Sequence, residues 1–231
     1  MKPGTKSFPK RFPVKKNIFI FPVLFIFCLG LIIITWNKFP GGWIKNRFRA
    51  NAAESKLKNT EQRYADFLKE NKLALPLKDI SIKIIKSERK LFLYSGAQPI
   101  KTYRIGLGRA PREPKKQEGD KKTPVGEYYV CTRNEKSSFH LFLGLSYPNI
   151  KDAQRGLSEG LITPDESNQI AEAINKKEKP PWATKLGGWI GIHGSGSNAD
   201  WTLGCIALDD EDVEELWFTA PLGTPVVIFE E

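Results

Sequence analysis

Cysteine and histidine are scarce in this 231-residue chain, which has three of the first and two of the second. Cys28, Cys131 and Cys205 lie far apart, and with only His140 and His193 beside them no C-x-x-C or H-x-x-H spacing exists, which excludes the common zinc sites. An odd cysteine count argues against a closed disulfide framework, although a Cys131–Cys205 bridge stays open as a pairing that would consume a reactive thiol. No metal and no organic cofactor is called for. Internal repeats are missing as well. The formal charge of +10 is not spread evenly: residues 1–77 carry 15 basic against 4 acidic side chains, net +11, and residues 78–231 carry 21 against 22, net −1. A folded part with no basic excess lacks the footprint of a nucleic-acid binder, so no nucleic acid is expected as a partner.

What the chain does have, near its start, is one long apolar run. Ile18 to Trp36 holds no charge and is about long enough, at 1.5 Å per residue, to cross a ~30 Å hydrocarbon core. Six Lys/Arg and no acid precede it, and Trp36 and Trp43 suit an interface. No small-residue cleavage pattern follows, so the run reads as a retained anchor. The expected order is a cytoplasmic basic tail (1–17), a transmembrane helix (18–36), a juxtamembrane linker with a helix over Glu54–Lys72 (37–77), and a catalytic domain (78–231). That order places the domain on the outer, periplasmic side of a cell inner membrane.

From Ile80 onward the apolar period shortens to two and strands are expected, the last over Pro225–Phe229. Cys131 reads as a buried strand residue. Arg109–Lys122, charged and broken by proline, reads as a mobile loop. One helix is expected over Leu157–Lys177, with Thr163, Pro164 and Glu166 as its start signal, and another with Asp209 as N-cap.

The stretch with chemistry in it is Ile190–Leu208, IGIHGSGSNADWTLGCIAL, where His193 and Cys205 end a Gly/Ser/Asn-rich loop. A thiol is a poor nucleophile until it ionises, and a nearby imidazole is the usual means. If the flanking residues are neighbouring strands, the loop returns Cys205 to His193. Gly204 then lets a substrate carbonyl approach, the N–H groups of Gly204 and Cys205 offer an oxyanion hole, and the Thr202 hydroxyl braces the turn. Asp200 reads as a substrate contact or a turn former, and His140 as a substrate-side or structural histidine.

Three ordered segments give this reading a family. Gly119-Asp120-Lys121-Lys122-Thr123-Pro124-Val125-Gly126-Glu127-Tyr128 is the first, and Phe139-His140-Leu141 with Ser146-Tyr147-Pro148-Asn149 is the second. Ile192-His193-Gly194 with Asp200-Trp201-Thr202-Leu203-Gly204-Cys205-Ile206-Ala207-Leu208 is the third. With these, residues 78–231 resemble the L,D-transpeptidase (YkuD-type) catalytic domain, in the branch with the YafK-like and ErfK-like proteins.

The resemblance implies a mostly β, L,D-transpeptidase-like β-sandwich catalytic domain with a few helices. It also implies that Cys205 attacks a carbonyl at the third residue of a peptidoglycan stem peptide, with His193 as base and the Gly194 carbonyl orienting the imidazole. A thioester forms and an amine acceptor resolves it. His140, Tyr147, Asp200 and Trp201 are expected on the substrate side. The chain departs from the family at Leu203, where a second cleft histidine is common, at Ala207, and in a shorter loop before the cysteine, which would leave the thiol more open or hand the lid role to residues 151–182. Relatives in this branch include hydrolases of the same links, and a non-catalytic wall-binding module is the remaining alternative.

Overall fold

In a computed structural model of the chain, the described residues are 41–73 and 75–231. The basic tail (1–17) and the expected transmembrane helix (18–36) lie outside them, and among the described residues no helix is long and apolar enough to cross a membrane. The chain divides into two compact units, 1–54 and 55–231. Helix α1, Gly41–Glu70, starts earlier than the expected Glu54. Its later turns belong to the second unit, because Leu57, Tyr64, Phe67 and Leu68 recur at helical spacing and pack into the domain core. Tyr64 Oη accepts the Thr219 hydroxyl at 3.1 Å, which ties this helix to the far end of the chain.

Eight strands follow: β1 Ile80–Ile85, β2 Lys90–Ser95, β3 Gln98–Arg104, β4 Gly126–Ser137, β5 His140–Leu145, β6 Gly191–His193, β7 Ile206–Ala207 and β8 Pro225–Phe229. Their order is β3-β2-β1-β8-β4-β5-β6-β7. Neighbours are antiparallel except β1 with β8 and β6 with β7. The long strand β4 serves two partners, β8 along Gly126–Tyr129 and β5 from Val130 onward, with a register shift where it changes over. Gly106 bridges Ala207 and Gly108 bridges Thr202, so the chain leaving β3, at one edge, is joined to β7, at the other. The expected sandwich is therefore one hydrogen-bonded sheet curled until its edges meet. Alternation along β1, β2, β5 and β8 points Ile82, Ile84, Leu91, Leu93, Leu143, Leu145, Val226 and Ile228 into one core.

The single helix expected over Leu157–Lys177 is two, α2 Ile150–Ser158 and α3 Pro164–Asn175. Gly160, in the left-handed region at φ +68°, turns the chain between them. Each has a full capping box, Asn149 with Asp152 and Thr163 with Glu166, so the start signal at Thr163 was a true one that followed another helix. Ala153, Ile162, Ile170 and Leu186 make a small second core beneath them. The last helix, α4 Asp210–Thr219, follows Asp209, which makes no side-chain cap bond. Its carboxylate instead accepts the Ser197 N–H at 2.9 Å, drawing the loop between β6 and β7 onto the helix start.

The loop 109–122, expected as mobile, is folded tightly around Asp120. Its carboxylate accepts the N–H groups of Lys116 (2.7 Å), Gln117 (3.1 Å) and Lys122 (3.0 Å) and the Lys115 ammonium (3.0 Å). The Lys115 side chain is buried. Burial works to raise the Asp120 carboxyl, but these four donors outweigh it and hold the group below the ordinary carboxylate value. Composition suggested a solvated loop because it counts charges without showing that they face each other.

Replacing Asp120 by alanine leaves a buried ammonium uncompensated, so urea unfolding of D120A should show a loss of about 3–5 kcal/mol. D120N, which keeps one acceptor oxygen, should lose less. Because the folded carboxyl lies below its unfolded value, this stabilisation is full above the unfolded pKa and fades as pH falls through the folded one. A D120A loss under about 1 kcal/mol would show that the loop is held by other means.

Candidate active site

Strands β6 and β7 run parallel with Ile192 opposite Ile206 and His193 opposite Ala207. Facing residues of paired strands share a side, and sides alternate along each strand. Cys205, two before Ala207, is thereby put on the side of His193. Both line one cavity of about 520 Å³, whose walls are Phe139, Phe142, Trp182 and Trp189 and whose rim holds Lys136 and Lys179. Gly191 leaves room for Phe142, whose ring atoms would lie 2.4 and 2.5 Å from a Cβ there.

His193 is buried, and its Nδ1 lies 2.7 Å from the Gly194 carbonyl oxygen. A carbonyl only accepts, so Nδ1 carries the proton and Nε2 presents a lone pair. Phe139 stacks on the imidazole, 4.8 Å between centroids at 28°, and Trp201 meets it edge-on at 5.5 Å. Burial under these rings lowers the His193 pKa below its usual 6.5, with the bond to Gly194 pulling the other way. The imidazole is neutral at rest.

The thiol is neutral as well. Desolvation pushes Cys205 up to about 11, against smaller lowering effects from the backbone at Gly191 and the charge of Lys115. At pH 7 the thiol is overwhelmingly protonated. The Sγ–H donates to the Trp189 carbonyl at 3.3 Å. Trp189 has φ +57°, a costly conformation for a bulky residue, and this aims its carbonyl at the sulfur while the exposed indole packs on Trp182 at 4.7 Å. Proton removal by Nε2 as a carbonyl arrives is the chemistry this pair supports, rather than a standing ion pair.

The turn before Cys205 is braced by Thr202, whose Oγ1 donates to the Cys205 carbonyl at 2.8 Å and accepts the Gly204 N–H at 3.1 Å. This alters the expected oxyanion hole. The Gly204 amide is already spent on the hydroxyl, so of the two amides the Cys205 N–H is the one left for a substrate oxygen. Gly204 adopts φ +137°, and a Cβ would lie 2.7 Å from the Lys122 carbonyl, so the turn seats on the loop that Asp120 folds.

The residues expected on the substrate side divide. Trp201 touches both Phe139 and His193 and donates its indole N–H to the Gly196 carbonyl. His140 pairs with Glu214 at 2.7 Å and does not line the cavity. Tyr147 is wholly buried, its hydroxyl donating to the Leu186 carbonyl at 3.1 Å, so it supports the floor beneath α2 instead of meeting substrate. Asp200 accepts the Leu107 N–H and is clamped by Arg89, which makes it a brace of the loop. Leu203 is 67 % exposed beside the thiol. Cys131 and Cys205 are both free thiols, so the bridge left open by the sequence is not made. Among the described residues no group of three or more His, Cys, Asp or Glu is placed to hold a metal ion.

Sequence reasoning missed the aromatic walls. Trp182 and Trp189 bracket a Gly-Gly pair at 187 and 188, and a Cβ on Gly188 would fall 2.3 Å from the Trp182 Cβ, so the glycine that brings the two indoles together was the available signal.

A family model, YkuD, the L,D-transpeptidase catalytic domain, matches residues 79–228. No curated protein matches the chain. Among solved structures it is similar to the helical cell shape determining protein Pgp2 of Campylobacter jejuni (23 % identity, TM-score 0.46, covering 66 % of this chain and 48 % of that one). It is also similar to Bd1075 of Bdellovibrio bacteriovorus (20 %, 0.44, 68 % and 50 %). A third is an L,D-transpeptidase of Xylanimonas cellulosilytica (14 %, 0.39, 68 % and 63 %). The match spans between about half and 63 % of the length of these proteins.

A neutral thiol beside a neutral imidazole has a kinetic signature. In a Cys131→Ser background, alkylation of Cys205 by iodoacetamide should be slow at pH 7 and rise about tenfold per pH unit toward a midpoint of about 11. A rate already at its plateau near neutrality would mean that a thiolate–imidazolium pair exists before any substrate arrives.

Proposed function

The chain belongs to the YkuD family of L,D-transpeptidase catalytic domains, and on that premise we propose that it is a cysteine acyltransferase acting on peptidoglycan stem peptides. The observation that carries the reading is the His193 tautomer: Nδ1–H is committed to Gly194, which leaves Nε2 as a base in the cavity that also holds the Cys205 thiol.

In the proposed cycle a stem peptide lies along the aromatic walls with the carbonyl of its third residue at Sγ. His193 Nε2 takes the thiol proton as the S–C bond forms, and the carbonyl oxygen becomes an oxyanion facing the Cys205 N–H. The tetrahedral centre collapses, the C–N bond to the terminal D-amino acid breaks, and the imidazolium returns its proton to the departing amine. The thioester then receives an acceptor amine whose proton passes to His193, and collapse restores the thiol as the new amide forms. With water in place of the amine, the same steps end in a free carboxylate, which is the hydrolase alternative. A protein that only holds wall peptides would carry the same cavity and leave the thiol unmodified.

The proposal includes an anchor. The uncharged run 18–36 behind its basic tail would tie the enzyme to the inner membrane with residues 55–231 on the periplasmic side.

Intact mass of the full chain should show a covalent adduct after incubation with a carbapenem or a tetrapeptide stem. C205A should give none, and H193A should acylate at least about a hundredfold more slowly. Products from the tetrapeptide with and without an added amine divide transfer from hydrolysis. An unmodified mass on folded native protein with both reagents would sink the enzymatic reading and leave the wall-binding module. Deletion of residues 1–40 should move the protein from the membrane pellet to the soluble fraction, and an unchanged distribution would remove the anchor.

A further inference from the structure

We propose that His140 and Glu214 are a positioning pair for the base, fixing the tip of the β4–β5 hairpin so that Phe139 lies on the His193 imidazole. The inference rests on His193 being the base and adds the device that sets its orientation.

The hairpin turns at Ser138 and Phe139, with Ser137 paired to His140. His140 holds φ +67°, a left-handed backbone that a non-glycine residue keeps only when its surroundings impose it. What faces it is Glu214 on α4, whose Oε1 lies 2.7 Å from His140 Nε2. Glu214 is buried, and its other oxygen, Oε2, has no partner among the described residues. A buried carboxylate with one of its oxygens unpaired is a poor way to stabilise a fold. A role in specifying geometry accounts for it better.

The geometry it specifies leads to the base. Phe139 stacks on His193, and its carbonyl accepts the Gly194 N–H at 3.0 Å. From the opposite side, Asp210 Oδ1, one turn before Glu214 on α4, accepts the Ser195 N–H at 2.8 Å. Gly194 is thus gripped with no slack: a Cβ there would lie 2.5 Å from Asp210 Oδ1, 3.1 Å from His140 Cβ and 3.2 Å from the Phe139 carbonyl oxygen. The Gly194 carbonyl is what orients the imidazole, so displacement of the tip moves both the ring above His193 and the acceptor at its Nδ1. The titratable groups around this turn are Asp209, Asp210, Glu211, Asp212 and Glu214 at the start of α4, Lys56 of α1 beside them, His140 on the tip, and Cys205, Lys136 and Lys179 on the cavity side.

The test uses the full chain and its variants H140A, H140Q, E214Q and F139A. Misplacing a reacting group slightly costs one to two orders of magnitude, so H140A should lower the saturating rate of carbapenem acylation by about tenfold or more and change the half-saturating concentration by less than about threefold. H140Q, whose amide donates to Glu214, should recover most of the rate. The second readout needs no turnover: in a C205A background, the NMR titration midpoint of His193 should rise toward 6.5 in H140A and F139A, since each uncovers the ring, and F139A should add nothing to H140A. E214Q, which keeps a hydrogen-bonding partner without the charge, should stay near wild type in both readouts if geometry is what matters. Loss of affinity alone in H140A, with the saturating rate and the His193 midpoint unmoved, would make His140 a substrate contact and overturn the proposal. An unmoved midpoint in folded H140A would overturn it even if the native chain proved unable to acylate, an outcome that would separately sink the enzymatic reading.

Discussion

Gly106 and Ala207 exchange hydrogen bonds in both directions, each at 2.9 Å, and the candidate site depends on that closure. β7 is two residues long, too short to hold its own register, and Cys205 stands at its leading end. It is fixed because β6 pairs with it on one side and the segment after β3 on the other. Gly106 must be glycine, since a Cβ would sit 2.2 Å from the Ala199 carbonyl oxygen. The clasp continues as Thr202 exchanges main-chain bonds with Leu107 and Arg109, and Asp200 accepts the Leu107 N–H while pairing with Arg89. Curling the sheet until its edges meet is therefore what brings a cysteine twelve positions beyond the histidine back to the same face.

Around that closure the site is assembled from parts distant in sequence. The loop folded on Asp120 backs the Gly204 turn, α4 grips the Gly194 turn, and the segment after α3 supplies the Trp182 and Trp189 wall. Lys179 lies over both indoles, 4.7 Å from one ring centroid and 5.9 Å from the other. The lid role expected for residues 151–182 is in this sense a wall role: the two helices rest on their own small core, and Trp182 at their end faces the cavity.

Much of this was legible because it is local. The strand alternation from Ile80, the start signal at Thr163 and the Thr202 brace depend on residues a few positions apart, where side-chain period and turn chemistry are decisive. His193 and Cys205 stood out because the chain has so few of either type in so much glycine. What failed was long-range. Asp200 looked like a turn former or ligand, and its partner Arg89 is more than a hundred positions away. Tyr147 lies in a motif that suggests function, yet only the fold shows its hydroxyl turned to Leu186. Loop 109–122 looked unstructured because Lys115 and Asp120 read as solvated charges until the buried ammonium is seen. The sheet's closure has no sequence signal beyond two glycines, 106 and 108, whose crowding appears only in three dimensions.

The resting bond from Cys205 Sγ–H to the Trp189 carbonyl has a consequence for endurance. Peroxide and other two-electron oxidants attack thiolates, and the ladder from sulfenic to sulfinic and sulfonic acid begins with that ionised form. A protein that keeps this sulfur protonated exposes almost none of that form. The desolvation that slows the reactivity of the Cys205 thiol therefore also shields it against oxidative loss.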